Sequence, residues 1–261
     1  MEENELHNHK FTAHNIVLDD GSQTYPESSL RSMSEHPLFQ SSKRLLDFIF
    51  PGSKTDLNLI DLACLEGGFT VEFARLGFKS LGIEVRNSNF VNCEYVKNHV
   101  NIPHLKFIQD NVLNLERYGS FDVVFCSGIL YHLEKPKAFL EMMEKCCNKV
   151  LIVNTHYSTD VKNTKFNLSD EIINEDLPGR WYFEHDEISI EQLDQMKWAS
   201  WENNKSFWIR REYLIQAIRD VGFDIVFEQY DGINNGINIG DEMTSDEFNL
   251  LSRGTFVGLK C

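Results

Sequence analysis

Three acidic side chains each follow an apolar run typical of a buried strand, and their spacing suits a nucleotide-like ligand. Asp61 ends the first run, which begins at residue 57. Glu84 closes the second and lies 17 residues after Gly67, near the spacing at which an acid accepts both hydroxyl hydrogens of a ribose. Asp110-Asn111 follow the third, where a carboxylate can hold the exocyclic amine of adenine. The carboxyl ends of parallel strands share one sheet edge, so these side chains are predicted to lie together.

Two histidines also follow predicted strands, His132 after the fourth and His156 after the fifth. Imidazole has an unperturbed pKa near 6.5, which suits the removal of a proton from a hydroxyl group. We rank His156 slightly ahead as the base, because it leads into the segment expected to hold a substrate. A structural role, with each ring bonded to backbone, is the alternative for both. Further side chains predicted to line a substrate pocket are Tyr131, Tyr157, Trp181, Asn203 and Trp208.

The element that positions the first acid is the stretch LNLIDLACLEGGFT at residues 57–70. An apolar run passes through small residues into Gly67-Gly68, and a helical pattern then opens at Phe69 and can stop at Gly77. A buried strand, a glycine turn and a helix N-terminus form the arrangement in which open α/β sheets bind a nucleotide-like cofactor.

The remaining pattern alternates between helix and strand before it is interrupted. Helices are predicted at 38–50, 86–100 and 136–147, and strands at 121–126 and 150–154. Residues 158–207 then carry no clear βα repeat. A helix over 208–221 and strands at 224–229 and 255–259 complete the chain.

The motif at residues 61–67 resembles the first motif of the class I S-adenosylmethionine-dependent methyltransferases, and FDVVFCSGILYH at 121–132 is similar to their fourth-strand motif. The chain departs from the family at Ala63 and Leu65, where many members have glycine. The resemblance implies an α/β fold with a Rossmann-like, mostly parallel seven-stranded sheet and an antiparallel last strand. It also implies S-adenosylmethionine as the cofactor, with Glu84 as the ribose acid and Asp110 as the adenine-side acid. The full set of residues expected to bind the cofactor is Asp61, Ala63, Gly67, Glu84, Asp110, Asn111, Ser127 and Gly128.

The same resemblance divides the chain into an N-terminal extension, residues 1–55, and a methyltransferase domain, residues 56–261. The extension either covers the cofactor or is a plain surface addition. All four tryptophans lie in or beside the insertion at 158–207, which is predicted to be a substrate lid or to need a small core of its own. The leading segment and the GILYH loop resemble the branch that includes the wobble-uridine tRNA carboxymethoxy enzymes and many small-molecule enzymes.

A nicotinamide dehydrogenase is the main competing interpretation of the turn. Its G-x-G-x-x-G fingerprint needs three glycines, and the corresponding positions here are Ala63, Leu65 and Gly68. Only one of these is glycine, which favours a cofactor without phosphates. A non-catalytic methyltransferase-like module is a further alternative, which the intact acids disfavour.

Composition limits the partners and the compartment. A formal charge of −15 makes a nucleic-acid substrate unlikely, and no run approaches the roughly 18 apolar residues of a membrane helix. The six cysteines include no C-x-x-C pair, which favours reduced thiols in a cytoplasmic protein. Only Glu134 lies near the end of the fourth strand, so no metal is expected.

The sequence therefore predicts a methyltransferase that acts on a small molecule, most plausibly at a hydroxyl oxygen. The loop SGILYH differs from the N/D-P-P-Y/F/W loop that accompanies methylation of exocyclic amines. A tRNA wobble-uridine-type methyltransferase remains the alternative substrate class.

Overall fold

The computed structural model describes residues 9–26, 30–161, 163–230 and 250–261, and the chain divides into two compact units. The first unit ends at Val112 and the second begins at Leu113. In chain order, the strands are β1 (Asn58–Leu62), β2 (Lys79–Glu84), β3 (Leu105–Gln109), β4 (Phe121–Ser127), β5 (Cys147–His156), β6 (Ile172–Asn174), β7 (Leu177–Phe183), β8 (Lys205–Ile209), β9 (Ile225–Gln229) and β10 (Arg253–Leu259).

The helices are α1 (Pro37–Ile49), α2 (Gly68–Arg75), α3 (Asn87–Asn98), α4 (Pro136–Cys146), α5 (Ile190–Gln195) and α6 (Arg211–Asp220). Short 3₁₀ turns span Met33–Glu35, Val112–Tyr118 and Leu130–His132. Seven strands form one sheet in the order β3-β2-β1-β4-β5-β10-β9. This order, with β10 antiparallel to both of its neighbours, confirms the predicted α/β class and the antiparallel last strand.

The first unit contains the three parallel strands that end in the predicted acids. Strand β1 pairs in parallel with β2, and β2 pairs in parallel with β3. Four of the five residues of β1 are buried, which explains its continuous apolar run, since a parallel strand is covered on both faces. All three strands therefore end at the same edge, where Glu84 and Asp110 lie.

The second unit places the start of β10 beside the end of β5. The two strands are antiparallel, and Arg253 lies opposite His156 in their register. Because β4 and β5 run parallel, the edge at which they end is also the edge at which β10 begins. A residue from the last strand of the chain thus joins the loops that follow β4 and β5.

The predicted insertion forms an antiparallel sheet in the order β6-β7-β8, together with α5. The predicted helix over 208–221 needs correction at its start. Strand β8 includes Trp208, which was assigned to a helix over 208–221, and the helix α6 begins only at Arg211. Trp208 is part of the strand because β8 pairs with β7, and in that register Trp208 lies opposite Arg180.

Candidate active site

The turn after β1 holds three residues in the left-handed region of backbone space. The φ angles are 56° at Ala63, 56° at Leu65 and 82° at Gly67. Left-handed backbone costs an ordinary L-residue roughly 1–2 kcal/mol and costs glycine little. The two departures from the family's glycine pattern therefore keep a glycine-type conformation, at some cost in stability.

Replacing Ala63 by glycine should leave the free energy of unfolding within about 0.5 kcal/mol of wild type, because relief of the left-handed strain offsets the entropy of glycine. The same change at Ala217, which is buried inside the right-handed helix α6, should cost about 1 kcal/mol or more. Denaturant unfolding of the two variants measures the difference. An equal loss at both positions would contradict the strain at Ala63.

Glu84 is bound to the turn by its own carboxylate. Its Oε2 accepts a hydrogen bond from the backbone N–H of Leu65 at 2.9 Å, and its Oε1 accepts one from the N–H of Arg86 at 2.8 Å. Burial raises the pKa of this carboxyl, and the bond from Arg86 opposes the rise. Each carboxylate oxygen can accept a second bond, so acceptor capacity remains for the hydroxyls of a ribose.

Asp61 connects the strand to the helix that follows the turn. The Thr70 hydroxyl donates to its Oδ2 at 2.6 Å, and the residue is 2% exposed. Burial raises its pKa to about 7, with the Thr70 bond opposing the rise and the charge of Glu84 adding to it. Asp110 lies half-buried at the end of the third strand, where its Oδ1 accepts the N–H of Asn111 at 2.8 Å.

The N-terminal segment is attached to the same turn through Glu66, which is fully buried. Its carboxylate accepts the backbone N–H of Thr12 at 2.8 Å, of Ala13 at 3.0 Å and of His14 at 2.9 Å, together with the Thr12 hydroxyl. The N–H of Gly68, the first residue of α2, donates to Nδ1 of His14 at 2.9 Å. Residues 12–14 are therefore part of the turn's structure, a role that the sequence did not reveal.

This packing also accounts for Gly68. A Cβ at that position would lie 2.7 Å from Cγ of Met33 and 2.8 Å from the His14 ring, closer than real Cβ contacts. The second glycine of the pair is thus required by the N-terminal segment.

In the second unit, His132 forms a buried pair with Glu184. Its Nδ1 lies 2.8 Å from Oε1 of Glu184, whose side chain is 2% exposed. A carboxylate oxygen can only accept, so Nδ1 carries the hydrogen, and in the neutral form of the ring the lone pair is then on Nε2. The Ser206 hydroxyl donates to the same Oε1 at 2.6 Å, and the Asn203 amide donates to the backbone carbonyl of His132 at 3.0 Å. This arrangement orients the imidazole as a general base requires.

His156 lies in a different environment. Its Nδ1 donates to the carbonyl of Leu251 at 2.8 Å, and its ring stacks on Trp208 with centroids 4.9 Å apart. Burial and then the charge of Arg253 lower its pKa to about 4. A group with so low a pKa is a weak base at neutral pH. The geometry therefore favours His132 over His156, the reverse of the order expected from sequence.

The lowered pKa of His156 predicts a loss of stability in acid. The unfolded chain protonates this residue near pH 6.5 and the folded chain only near pH 4, so its contribution is complete above pH 6.5 and is lost as the pH falls toward 4. At about 1.4 kcal/mol per pKa unit, the loss approaches about 3 kcal/mol. Wild type should lose this much more than His156→Gln in unfolding experiments between pH 7 and pH 4. Asp61 titrates in the opposite sense over this range and cancels in the comparison. Parallel curves would contradict the shift.

An aromatic cluster surrounds Trp208, which is 2% exposed. Its ring centroid lies 4.9–5.9 Å from those of Tyr131, His156, Phe166 and Tyr182. Its indole N–H is buried and meets no hydrogen-bond acceptor within the described part of the chain. An unsatisfied buried donor is costly, so an oxygen acceptor that reached this N–H would stabilise it.

Two residues predicted to line the pocket lie elsewhere. Trp181 contacts Phe207 and the ammonium of Lys205, and it has no ring contact with the cluster in the described residues. Its neighbour Tyr182 occupies the cluster instead, because successive residues of a strand face opposite sides. Tyr157 is 3% exposed and packs against Phe256, and burial raises its pKa to about 12. Its position is that of a core residue.

Arg253 joins the loop that follows β4. Its Nε donates to Oδ1 of Asn154 at 2.7 Å, and its guanidinium lies 5.6 Å from the ring centroid of Tyr131. Gly128 is left-handed at φ 82°, and a Cβ there would lie 3.6 Å from Nη2 of Arg253. Ser127, the last residue of the strand, pairs with Asn154. Sequence analysis missed Arg253, although the predicted antiparallel last strand implies that its first residue lies at this edge.

The strand order, the glycine-type turn and the acids at the strand ends define the fold of the class I S-adenosylmethionine-dependent methyltransferases. Residues 34–228 match the family described as a methyltransferase domain, and the chain belongs to that family. The prediction made from residues 61–67 and 121–132 is therefore confirmed. No curated protein sequence matches the chain.

Solved structures share the fold at low sequence identity. The N-terminal domain of EvdMO1, solved in the presence of S-adenosylhomocysteine and D-fucose, is 20% identical, with 100% of this chain and 98% of that chain covered and a TM-score of 0.68. Magnesium protoporphyrin IX methyltransferase from Synechocystis PCC 6803, solved with bound S-adenosylmethionine, is 12% identical, with 91% and 88% covered and a TM-score of 0.52.

Within 9–26, 30–161, 163–230 and 250–261, no helix is both long and apolar enough to cross a membrane. In the same ranges, no group of three or more His, Cys, Asp or Glu side chains converges as metal ligands.

Proposed function

We propose that this protein transfers a methyl group from S-adenosylmethionine to a hydroxyl oxygen of a small-molecule acceptor, with His132 as the general base. The observation that carries the proposal is the buried His132–Glu184 pair beside an aromatic cluster. A hydroxyl is a poor nucleophile until its proton is removed, and an oriented imidazole with a free Nε2 can remove it.

The residues of the first unit fit the donor. The sulfonium of S-adenosylmethionine supplies an activated methyl group and leaves as a neutral thioether. Glu84 retains acceptor capacity for the ribose hydroxyls, and Asp110 with Asn111 follows the adjacent strand. Glu84 also provides negative charge, which attracts a cationic donor, whereas Asp61, with a pKa of about 7, is only partly ionised at neutral pH. We assign the donor to these residues and to the turn at Ala63 and Gly67, with Ser127 and Gly128 as further candidates.

The residues of the second unit fit an acceptor with an apolar face and oxygen substituents. His132 takes the proton from the attacking hydroxyl onto Nε2, while Glu184 stabilises the resulting imidazolium through the bond to Nδ1. The unsatisfied N–H of Trp208 can donate to a second oxygen of the acceptor. A sugar has both features, and the presence of D-fucose in the EvdMO1 structure supports this choice of substrate class.

Ion pairing argues against a tRNA acceptor. The sequence has two adjacent basic pairs of note, Lys43-Arg44 and Arg210-Arg211. Lys43 pairs with Asp47 at 2.7 Å, Arg210 with Glu171 at 2.9 Å and Arg211 with Glu228 at 2.7 Å. Binding to RNA depends on cations that are free to contact phosphates.

The test is a transfer assay with methyl-labelled S-adenosylmethionine. The acceptors are a panel of sugars and phenols, their amine analogues and an unmodified tRNA transcript. Product NMR then identifies the atom that carries the label. We expect label on oxygen of a small molecule. Label on nitrogen, on carbon or on the tRNA would contradict the proposal, and donor binding without transfer to any acceptor would favour the non-catalytic module.

A further inference from the structure

Arg253 is half-buried in the second unit, among side chains already assigned to the acceptor. It lies opposite His156 in the register of β10 with β5. Burial is the largest cause of the lowered pKa of His156, and the charge of Arg253 is the next. Its guanidinium also contacts the ring of Tyr131, and its Nε is held by Asn154 at 2.7 Å. The bond to Asn154 fixes the plane of the guanidinium and leaves its outer nitrogens as donors.

Among the described residues, no carboxylate pairs with the charge of Arg253. Arg210 and Arg211 of the same unit are each paired with a glutamate. Arg253 makes no ion pair with any residue in the described ranges, where its guanidinium contacts the neutral amide of Asn154 and the side chain of Tyr131. Arg180 of the same unit also makes no ion pair within the described residues, but its guanidinium donates to the backbone carbonyls of Thr159, Ser169 and Asp160, whereas Arg253 has no such set of acceptors there. Burying a cation without an anion is costly, and such a charge is stabilised when a ligand supplies the anion.

We propose that Arg253 binds an oxyanion, a carboxylate or a phosphate, carried by the methyl acceptor. The planar guanidinium offers two parallel N–H donors, which match both of these groups. The inference rests on the proposed function, because it assumes that the His132 cluster receives the acceptor. It narrows the acceptor class to hydroxylated acids or phosphate esters.

The experiment uses four sugars that share one ring configuration and differ only at C6. These are D-fucose, D-galactose, D-galacturonate and D-galactose 6-phosphate, each titrated calorimetrically into protein saturated with S-adenosylhomocysteine. We expect one of the two anionic sugars to bind at least about ten-fold more tightly than both neutral sugars, since charge-assisted bidentate bonds are the strong ones. The identity of the tighter anion distinguishes carboxylate from phosphate recognition.

Variants assign the preference to the residue. Arg253→Gln should abolish the preference for an anionic sugar, while the Kd for D-fucose should stay within about two-fold of the wild-type value. Arg253→Lys should retain part of this preference, because lysine keeps the positive charge but lacks the two parallel N–H donors of the guanidinium. Arg219→Gln removes the same charge from the exposed last turn of α6 and should leave the preference for an anionic sugar unchanged.

Several results would overturn the proposal. One is equal binding of all four sugars, or binding of none while S-adenosylhomocysteine binds. Another is an anion preference that survives Arg253→Gln. A third is a ten-fold (about 1.4 kcal/mol) loss of S-adenosylhomocysteine affinity in that variant, which would assign Arg253 to the carboxylate of the donor. The titration contains no methyl group to transfer, so it reports recognition independently of the transfer assay.

Discussion

Replacing His132 by glutamine is expected to lower kcat for methyl transfer by about 10²–10⁴-fold, the usual contribution of a positioned general base. Glutamine can keep a hydrogen bond to Glu184 but has no basic nitrogen to accept the proton. The affinity for S-adenosylmethionine should not change, because His132 is not among the residues assigned to the donor. Single-turnover transfer with the acceptor identified in the labelling assay measures the effect.

Two further variants determine which histidine acts. His156→Gln should lower kcat by less than about ten-fold, because a base with a pKa of about 4 contributes little at neutral pH. Glu184→Gln should shift the pH–rate profile, since the amide no longer stabilises the imidazolium of His132. If His156→Gln loses activity while His132→Gln keeps it, His156 is the base and the order expected from sequence is restored.

Replacing Glu84 by alanine is expected to weaken S-adenosylmethionine binding by at least ten-fold. A carboxylate that accepts both ribose hydroxyls contributes about 1.5–3 kcal/mol, and alanine accepts neither. The same change removes the acceptor for the N–H of Leu65, so the turn proposed to contact the donor also loses support. Isothermal titration of the folded variant measures the loss.

A matched control separates the ribose contact from general damage. Glu72 is another buried acid of the first unit, 4% exposed and paired with Arg75 at 2.7 Å on the helix after the turn. Glu72→Gln removes a buried charge without removing a predicted donor contact. Its unfolding free energy should fall while its donor affinity stays near that of wild type. Unchanged affinity in folded Glu84→Ala would exclude the ribose assignment.

The sequence by itself determined the parts of this protein that depend on local pattern. Strand β1 is a mostly apolar, buried run, and each acid is close to the carboxyl end of a strand in the chain: Asp61 is the penultimate residue of β1, Glu84 is the last residue of β2 and Asp110 directly follows β3. A strand, a glycine turn and a helix are encoded within fourteen residues, 57–70, so no distant contact is needed to recognise them. The antiparallel last strand was predicted from the order of helices and strands at the end of the chain, together with the family resemblance.

The tertiary structure alone decided the chemistry of the second unit. His132 and Glu184 are 52 residues apart, and no spacing rule joins them, because the pair depends on how the insertion folds back. Tyr182 rather than Trp181 lies in the aromatic cluster. Successive side chains of β7 face opposite sides of the sheet, and the pairing register with β8 sets which of the two residues faces the cluster. Trp208 lies in a strand since pairing with β7 outweighs the helical pattern that follows it. Arg253 reaches the site from the start of the last strand, since an antiparallel partner brings its first residue to the edge where β5 ends.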